Sequence, residues 1–191
     1  MRTFTLLALL SLHLMMLTGC GTGFIIGNTK PVDEKSESYG VMDLSKGNPD
    51  WIKLDPKSVD INSTSQDAAT TSTEISDVAF QSKGTAAIIS LNSACRESKE
   101  YENKDLRTLT NVLLLGAADV TLRDEKEITV SANPALQTTI EGKINSEKIM
   151  LRTVVIKRRN CVYDLVYVAR PQTFDAHVED FSHFVASLRL K

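Results

Sequence analysis

Three alternating apolar stretches, Leu136 to Ile144, Lys148 to Ile156 and Cys161 to Ala169, follow one another with only short gaps between them. Asn145-Ser146 and Arg159-Asn160 sit in those gaps, and connections this short can join only antiparallel neighbours. Asn suits such turns because it tolerates positive φ. Upstream, Glu127 to Ser131 alternates in the same way, and Asn133-Pro134 interrupts the run before Leu136. The second half of the chain is therefore expected to form an antiparallel meander whose apolar faces need cover. Two segments have the right period to supply it. Phe174, Val178, Phe181, Val185 and Leu188 form one helical stripe, with Asp175, Glu179 and Ser182 off it. Leu106, Leu109, Leu113 and Ala117, flanked by Val112 and Leu114, form another, with Asn103 as its expected cap and Gly116 as its stop. Ahead of them Val78 and Phe80 open a short strand. Thr85 to Leu91 is a nearly continuous apolar run, as in a strand covered on both faces. The order strand, strand, helix, four strands, helix predicts an α+β fold, one antiparallel β-sheet with α-helices packed on it.

The start of the chain has a different logic. Arg2 supplies a positive charge, and Phe4 to Leu17 is apolar apart from Thr5, Ser11 and His13. That stretch is short for a spanning helix and has the length of a secretory signal. Leu17-Thr18-Gly19-Cys20, which closes it, resembles the bacterial lipobox. The resemblance implies cleavage before Cys20 and diacylglycerol on its thiol. Gly21, where an Asp would signal inner-membrane retention, points toward the outer membrane and the periplasm. The expected partition is residues 1–19 as lipoprotein signal peptide, 20–73 as lipidated N-terminus and flexible linker, and 74–191 as the folded domain. Asn62 to Thr73, rich in Ser and Thr, reads as linker. Tyr39 to Leu44 and Trp51 to Leu54 are short apolar islands with two readings, packing on the domain or adding an edge strand.

Composition narrows the function classes. The formal charge is −2, and it becomes −3 when Arg2 leaves with the leader, so no basic field exists to gather nucleic acid. The sequence contains no glycine-framed serine, zinc-ligand spacing or phosphate loop, so no catalytic residue, metal or cofactor is assigned. His177, Asp180 and His183 are three apart, but the outer two diverge by about 120° on a helix, so they read as a solvated polar face. Asp164 lies between Val162 and Val166 on an apolar stripe. Such a carboxylate either marks a site or bonds a backbone end or hydroxyl, and the second is expected. Lys157-Arg158-Arg159 forms a basic tip, read as a solvated turn rather than a contact to anionic headgroups. Cys95 shares parity with Ile89 and Leu91, and Cys161 with Tyr163 and Leu165. In an exported chain this even pair is expected to form a disulfide, the alternative being two buried thiols.

Leu106 to Gly116, the meander from Glu127 to Ala169 and the closing segment with Phe181, Phe184 and Ser187-Leu188-Arg189 resemble the PsbP-like fold, which implies an antiparallel β-sheet packed between α-helices. More narrowly, Asn160-Cys161-Val162-Tyr163-Asp164-Leu165-Val166-Tyr167 is similar to a group of uncharacterised bacterial lipoproteins with that fold. The hairpin turn departs from the group, Arg159-Asn160 standing where Asp-Gly is usual. The resemblance implies a non-enzymatic envelope lipoprotein that binds an envelope protein. An accessory of a transport system that binds lipid or a small ligand is the alternative, and a hydrolase is the third reading.

Overall fold

The computed structural model describes residues 39–55, 77–95 and 103–191. The leader, Cys20 and the Ser/Thr-rich stretch 62–73 lie outside the described residues. In chain order the elements are β1 (Tyr39–Gly40), α1 (Leu44–Gly47), β2 (Trp51–Leu54), β3 (Val78–Ser82), β4 (Ile88–Cys95) and α2 (Leu106–Leu113). They continue with β5 (Ala118–Val130), β6 (Asn133–Ile144), β7 (Glu147–Arg158), β8 (Cys161–Ala169), α3 (Val178–Ser187) and β9 (Arg189–Leu190). Short 3-10 turns follow α2 (Leu114–Gly116) and precede α3 (Pro171–His177).

Seven strands form one antiparallel sheet in the order β2-β3-β4-β8-β7-β6-β5, while β1 and β9 pair apart from it. The sheet lies between helices, the expected α+β arrangement. The pleat sorts β8 between the two layers. Cys161, Tyr163, Leu165, Tyr167 and Ala169 join the core with Phe174, Phe181, Phe184, Val185 and Leu188. Val162 and Val166 face the other way, into clusters that include Leu109, Leu113 and Leu114. Tyr167 stacks on Phe174 with ring centroids 4.8 Å apart and donates its hydroxyl to the Phe174 carbonyl. Burial pushes its phenol up to about 12.

The hairpins carry the meander. Asn145 and Ser146 both have positive φ, 49° and 69°, as a two-residue turn between twisted strands requires. At the next turn the positive φ of 51° falls on Arg159, not on Asn160.

Several expected boundaries move. The β5–β6 turn is Ser131-Ala132, with φ of 50° and 62°, so Asn133-Pro134 begins a strand instead of breaking one. Pro134 is tolerated because β7 pairs with β6 only from Ala135 onward. The run Thr85 to Leu91 divides. Thr85 to Ala87 belong to the turn after β3, where Ala86 takes a φ of 59° and its N–H bonds the Ser82 carbonyl at 3.0 Å. The strand proper starts at Ile88. The cap of α2 is Asp105, whose carboxylate accepts the Thr108 N–H at 2.6 Å, and not Asn103. Residues 39–54 lie within the expected linker 20–73 but belong to the fold, as the readings of their apolar islands as domain packing or an edge strand allow. Leu44 and Trp51 are 3% and 2% exposed within the main core, and β2 forms one edge of the sheet.

The start of β5 contains a bulge between Ala118 and Leu122, with Asp119 at a φ of 49°. The bulge crosses directly over Gly142 of β6. A Cβ there would lie 2.9 Å from the Ala118 carbonyl oxygen and 3.5 Å from a Val120 methyl. Backbone cannot yield as a side-chain tip can. Gly142→Ala should therefore lower stability by about 1–2 kcal/mol, measured by urea denaturation. An unchanged midpoint would show that the bulge relaxes freely.

Candidate functional site

The densest polar cluster lies where the 3-10 turn meets α3. His177, 8% exposed, is the residue before Val178 and turns its ring inward. Its Nδ1 lies 3.0 Å from Asp180 Oδ2 and its Nε2 lies 3.1 Å from Thr85 Oγ1. Trp51 Nε1 donates to the same Asp180 oxygen at 3.0 Å, and its ring meets the His177 ring edge-on at 4.8 Å. Beyond Thr85, the Ser82 hydroxyl donates to Asp50 Oδ2 at 2.6 Å, and the Gly84 N–H bonds Asp50 Oδ1 at 3.0 Å. These bonds hold the Asp50 carboxyl below the usual carboxylate range, that from Ser82 contributing most.

Carboxylate, imidazole and hydroxyl thus stand in line, the order a hydrolytic triad would use. Their bonding favours a different reading. The Thr85 hydroxyl is committed to Ser82 at 2.9 Å, and Trp51, 2% exposed, closes one side of the imidazole. The cluster ties together three separate parts of the chain: the α1–β2 connection, the β3–β4 turn and α3. A second clasp does the same for β1. Tyr39 donates its hydroxyl to Asp77 at 2.9 Å, and Ser93 bonds the same carboxylate oxygen. Burial, followed by the Asp77 charge, raises the Tyr39 phenol strongly.

His177, Asp180 and His183 do not form one solvated face. His177 and Asp180 turn inward together, and only His183 is exposed. Asp164 lies on the opposite side of the sheet from His177, on the face shared by Val162 and Val166. It sits opposite Asn92 of β4 and Val155 of β7. Among the described residues it has no hydrogen-bond partner, contrary to expectation, and burial alone pushes its carboxyl up to about 7. Thr138 and Thr153, paired across β6 and β7 on that same face, are fully buried with no hydrogen bond to either hydroxyl among the described residues. The sheet therefore separates Asp164 from the buried histidine. Among the described residues no group of three or more His, Cys, Asp or Glu could hold a metal ion.

The remaining candidates have structural partners. Lys157 Nζ bonds the Lys104 carbonyl at 2.9 Å and Arg158 the Lys191 carbonyl at 2.8 Å, so this basic tip is tied to the approach to α2 and to Lys191. Cys95 and Cys161 are directly opposite on β4 and β8, with Cα atoms 4.0 Å apart and sulfurs at bonding distance. An open, shallow hollow of about 440 Å³ beside α2 is lined by Arg107, Asn111, Arg123 and Glu125. Its charges already pair: Arg107 and Arg123 reach the two Glu125 oxygens at 2.9 and 2.6 Å. The large apolar side chains left exposed include Val112 and Leu115, at 51% and 80%, and Val120 and Leu122, at 47% and 44%.

No family model matches the chain. No curated protein matches it either. Solved structures do. The cyanobacterial PsbP protein (CyanoP) of Synechocystis sp. PCC 6803 is 12% identical, with a TM-score of 0.50 over 87% of this chain and 99% of that one. LpqN of Mycobacterium tuberculosis, a protein involved in cell envelope biogenesis, is 11% identical, with a TM-score of 0.52 over 83% of this chain and 87% of that one. At such identities the likeness speaks to architecture and not to activity. The antiparallel sheet between helices that the chain forms is the PsbP-like fold.

Proposed function

We propose that this chain is an envelope lipoprotein, held to the membrane by lipid on Cys20, whose PsbP-like domain works without catalysis by binding an envelope protein. The observation that carries the binding reading is the exposed apolar group at the end of α2 and the start of β5. Leu115 is 80% exposed and Val112 and Val120 are about half exposed, close in sequence to one connection. Apolar side chains concentrated at one place mark an interaction surface better than scattered ones. The inward-facing polar groups around His177, by contrast, are engaged in holding the fold together. No helix among the described residues is long and apolar enough to cross a membrane. The proposed attachment rests on the lipobox-like sequence that ends at Cys20. That LpqN takes part in envelope biogenesis agrees with the same compartment.

A photo-crosslinking residue at Leu115 should capture a discrete envelope protein in intact cells, while one at the exposed Ser182 of α3 should not. Lipid recovered at Leu115 in place of protein would favour the accessory that binds lipid or a small ligand. The anchor has its own test. Cys20→Ala should leave an uncleaved precursor that takes up no labelled lipid. Normal cleavage with label at another residue would overturn the lipobox reading.

A further inference from the structure

The two edges of the sheet are unequal. One is β2, with 4 residues; the other is β5, with 13, and among the described residues nothing pairs on its outer side. A long edge strand is a template for another strand. From Leu122 to Val130 the ladder to β6 is regular, so the outer side presents an unbroken row of N–H and C=O groups. Side chains on an edge decide which strand can use it, and charges there exclude most partners.

The charges on β5 favour one arrangement of the strand with itself. Leu122-Arg123-Asp124-Glu125-Lys126-Glu127-Ile128 is chemically palindromic about Glu125. Laid antiparallel on a second copy with Glu125 opposite Glu125, Arg123 faces Glu127, Asp124 faces Lys126 and Leu122 faces Ile128, each pair occurring twice. Slipping the register by two residues destroys this. One slip sets Arg123 on Glu125 but also Asp124 on Asp124 and Leu122 on Lys126; the other sets Lys126 on Lys126 and Glu125 on Glu127. Like charges directly opposite are destabilising and opposite charges stabilising, so the register is selected. The Glu125 pair at the centre is the one like-charge contact. Each copy brings its own compensation, since Arg107 and Arg123 already hold both oxygens of that carboxylate. Asp124, Lys126 and Glu127 are exposed, and Leu122, 44% exposed, would gain an apolar neighbour.

We propose that β5 pairs with β5 of a second copy of this chain, antiparallel and about a twofold axis at Glu125, making one sheet continuous across a dimer. Pairing like edges is isologous and closes at two copies, whereas β5 against the β2 edge of another copy would leave edges open for further addition. The dimer depends neither on the lipid nor on what binds near Leu115, so its test stands apart from theirs.

The test uses the full-length chain in its own membrane, with a thiol placed on β5. Glu125→Cys should give an intermolecular disulfide on mild oxidation, because the two positions meet at the axis. Thr129→Cys should not, because the two copies of that residue lie far apart along the strands. Asp124→Cys and Lys126→Cys on separate co-expressed chains should crosslink to each other, which covers the case in which loss of Glu125 perturbs the arginines. In detergent, Lys126→Glu should weaken the dimer about tenfold in analytical ultracentrifugation, and Asp124→Lys with Lys126→Glu should restore it. A monomeric wild-type protein, crosslinking at Thr129 as strong as at Glu125, or a Lys126→Glu chain as dimeric as wild type would each overturn the proposal.

Discussion

Replacing Asp164 with asparagine should stabilise the fold by about 2 kcal/mol at pH 8 and change it little at pH 4. The carboxyl sits on the α2 side of β8 between Val162 and Val166, opposite Asn92 and Val155. No hydrogen bond among the described residues supports its charge, and burial raises it from 3.8 to about 7. Below 3.8 the group is neutral in the folded and the unfolded chain alike, and the fold carries no penalty. As the pH rises past that value the unfolded chain releases its proton while the folded chain keeps it. Stability then falls steadily until the folded group also ionises, near 7, and is level above that. Asparagine has the shape of the protonated acid and never ionises, so the variant should lack this descent. The full shift would correspond to about 4 kcal/mol; Asp164 is half-buried and not sealed, so about half of that is expected. Thermal midpoints of wild type and variant, measured from pH 4 to pH 8, should separate progressively and stop separating near pH 7. A gap of constant size would mean that asparagine acts through packing. A destabilised variant at pH 8 would mean that the carboxylate has a partner beyond the described residues.

Asp164 also marks the line between what periodicity reveals and what it hides. β7, β8 and the α3 stripe were legible because each buries at least one face, and a buried face imposes its period on the sequence. Most of β5 has no such face. Only Val130 is buried, Glu125 and Ile128 are half-buried and the rest is exposed, so no alternation announced the strand before Glu127. What its sequence holds instead is the charge palindrome, which has meaning only once the strand is known to be an edge. Residues 39–54 were legible only in part, as apolar islands that pack on the domain or add an edge strand, and for another reason. Their elements are two to four residues long, and Trp51 earns its place through contacts remote in sequence, Ser82 across the ladder and Asp180 at its indole N–H.

The His177 cluster shows both sides of this in one place. Steps of three on a helix do carry His183 away from His177, and His183 is indeed exposed. The inference that all three residues are solvated did not follow from the divergence. Residues His177 and Asp180 are neighbours at a spacing of three, and a pair on one face can turn inward together when something polar waits there. The waiting groups, Thr85 and Trp51, lie far back in the chain. The available signal was the lone Trp in a segment otherwise read as linker, since a single indole is seldom left without burial and a partner for its N–H.

The bridge between Cys95 and Cys161 should be the largest single covalent contribution to stability, about 4 kcal/mol in the chain-entropy account. The two residues are separated by 66 positions, so joining them restricts a long loop of the unfolded chain. They are also placed to be joined without moving backbone, being direct cross-strand partners at the last position of β4 and the first of β8. Cys95 ends β4 and Cys161 begins β8, so the bond secures β4 to the central strand β8 at the end of their ladder. The alternative is a pair of small apolar thiols that merely fill space at the margin of the main core, where Cys161 is buried and Cys95 half-buried. Chemistry separates the two. Wild-type protein purified without reductant and then denatured should expose neither Cys95 nor Cys161 to a thiol reagent, and both should react after reduction. Cys95→Ala should free the Cys161 thiol and lower the thermal midpoint by about ten degrees or more. Reductant should produce a comparable fall in wild type and none in Cys95→Ala/Cys161→Ala, which separates loss of the bond from loss of packing. Reactive thiols in the unreduced wild type would refute the bridge, and the stability of this fold would then rest on its sheet and aromatic core alone.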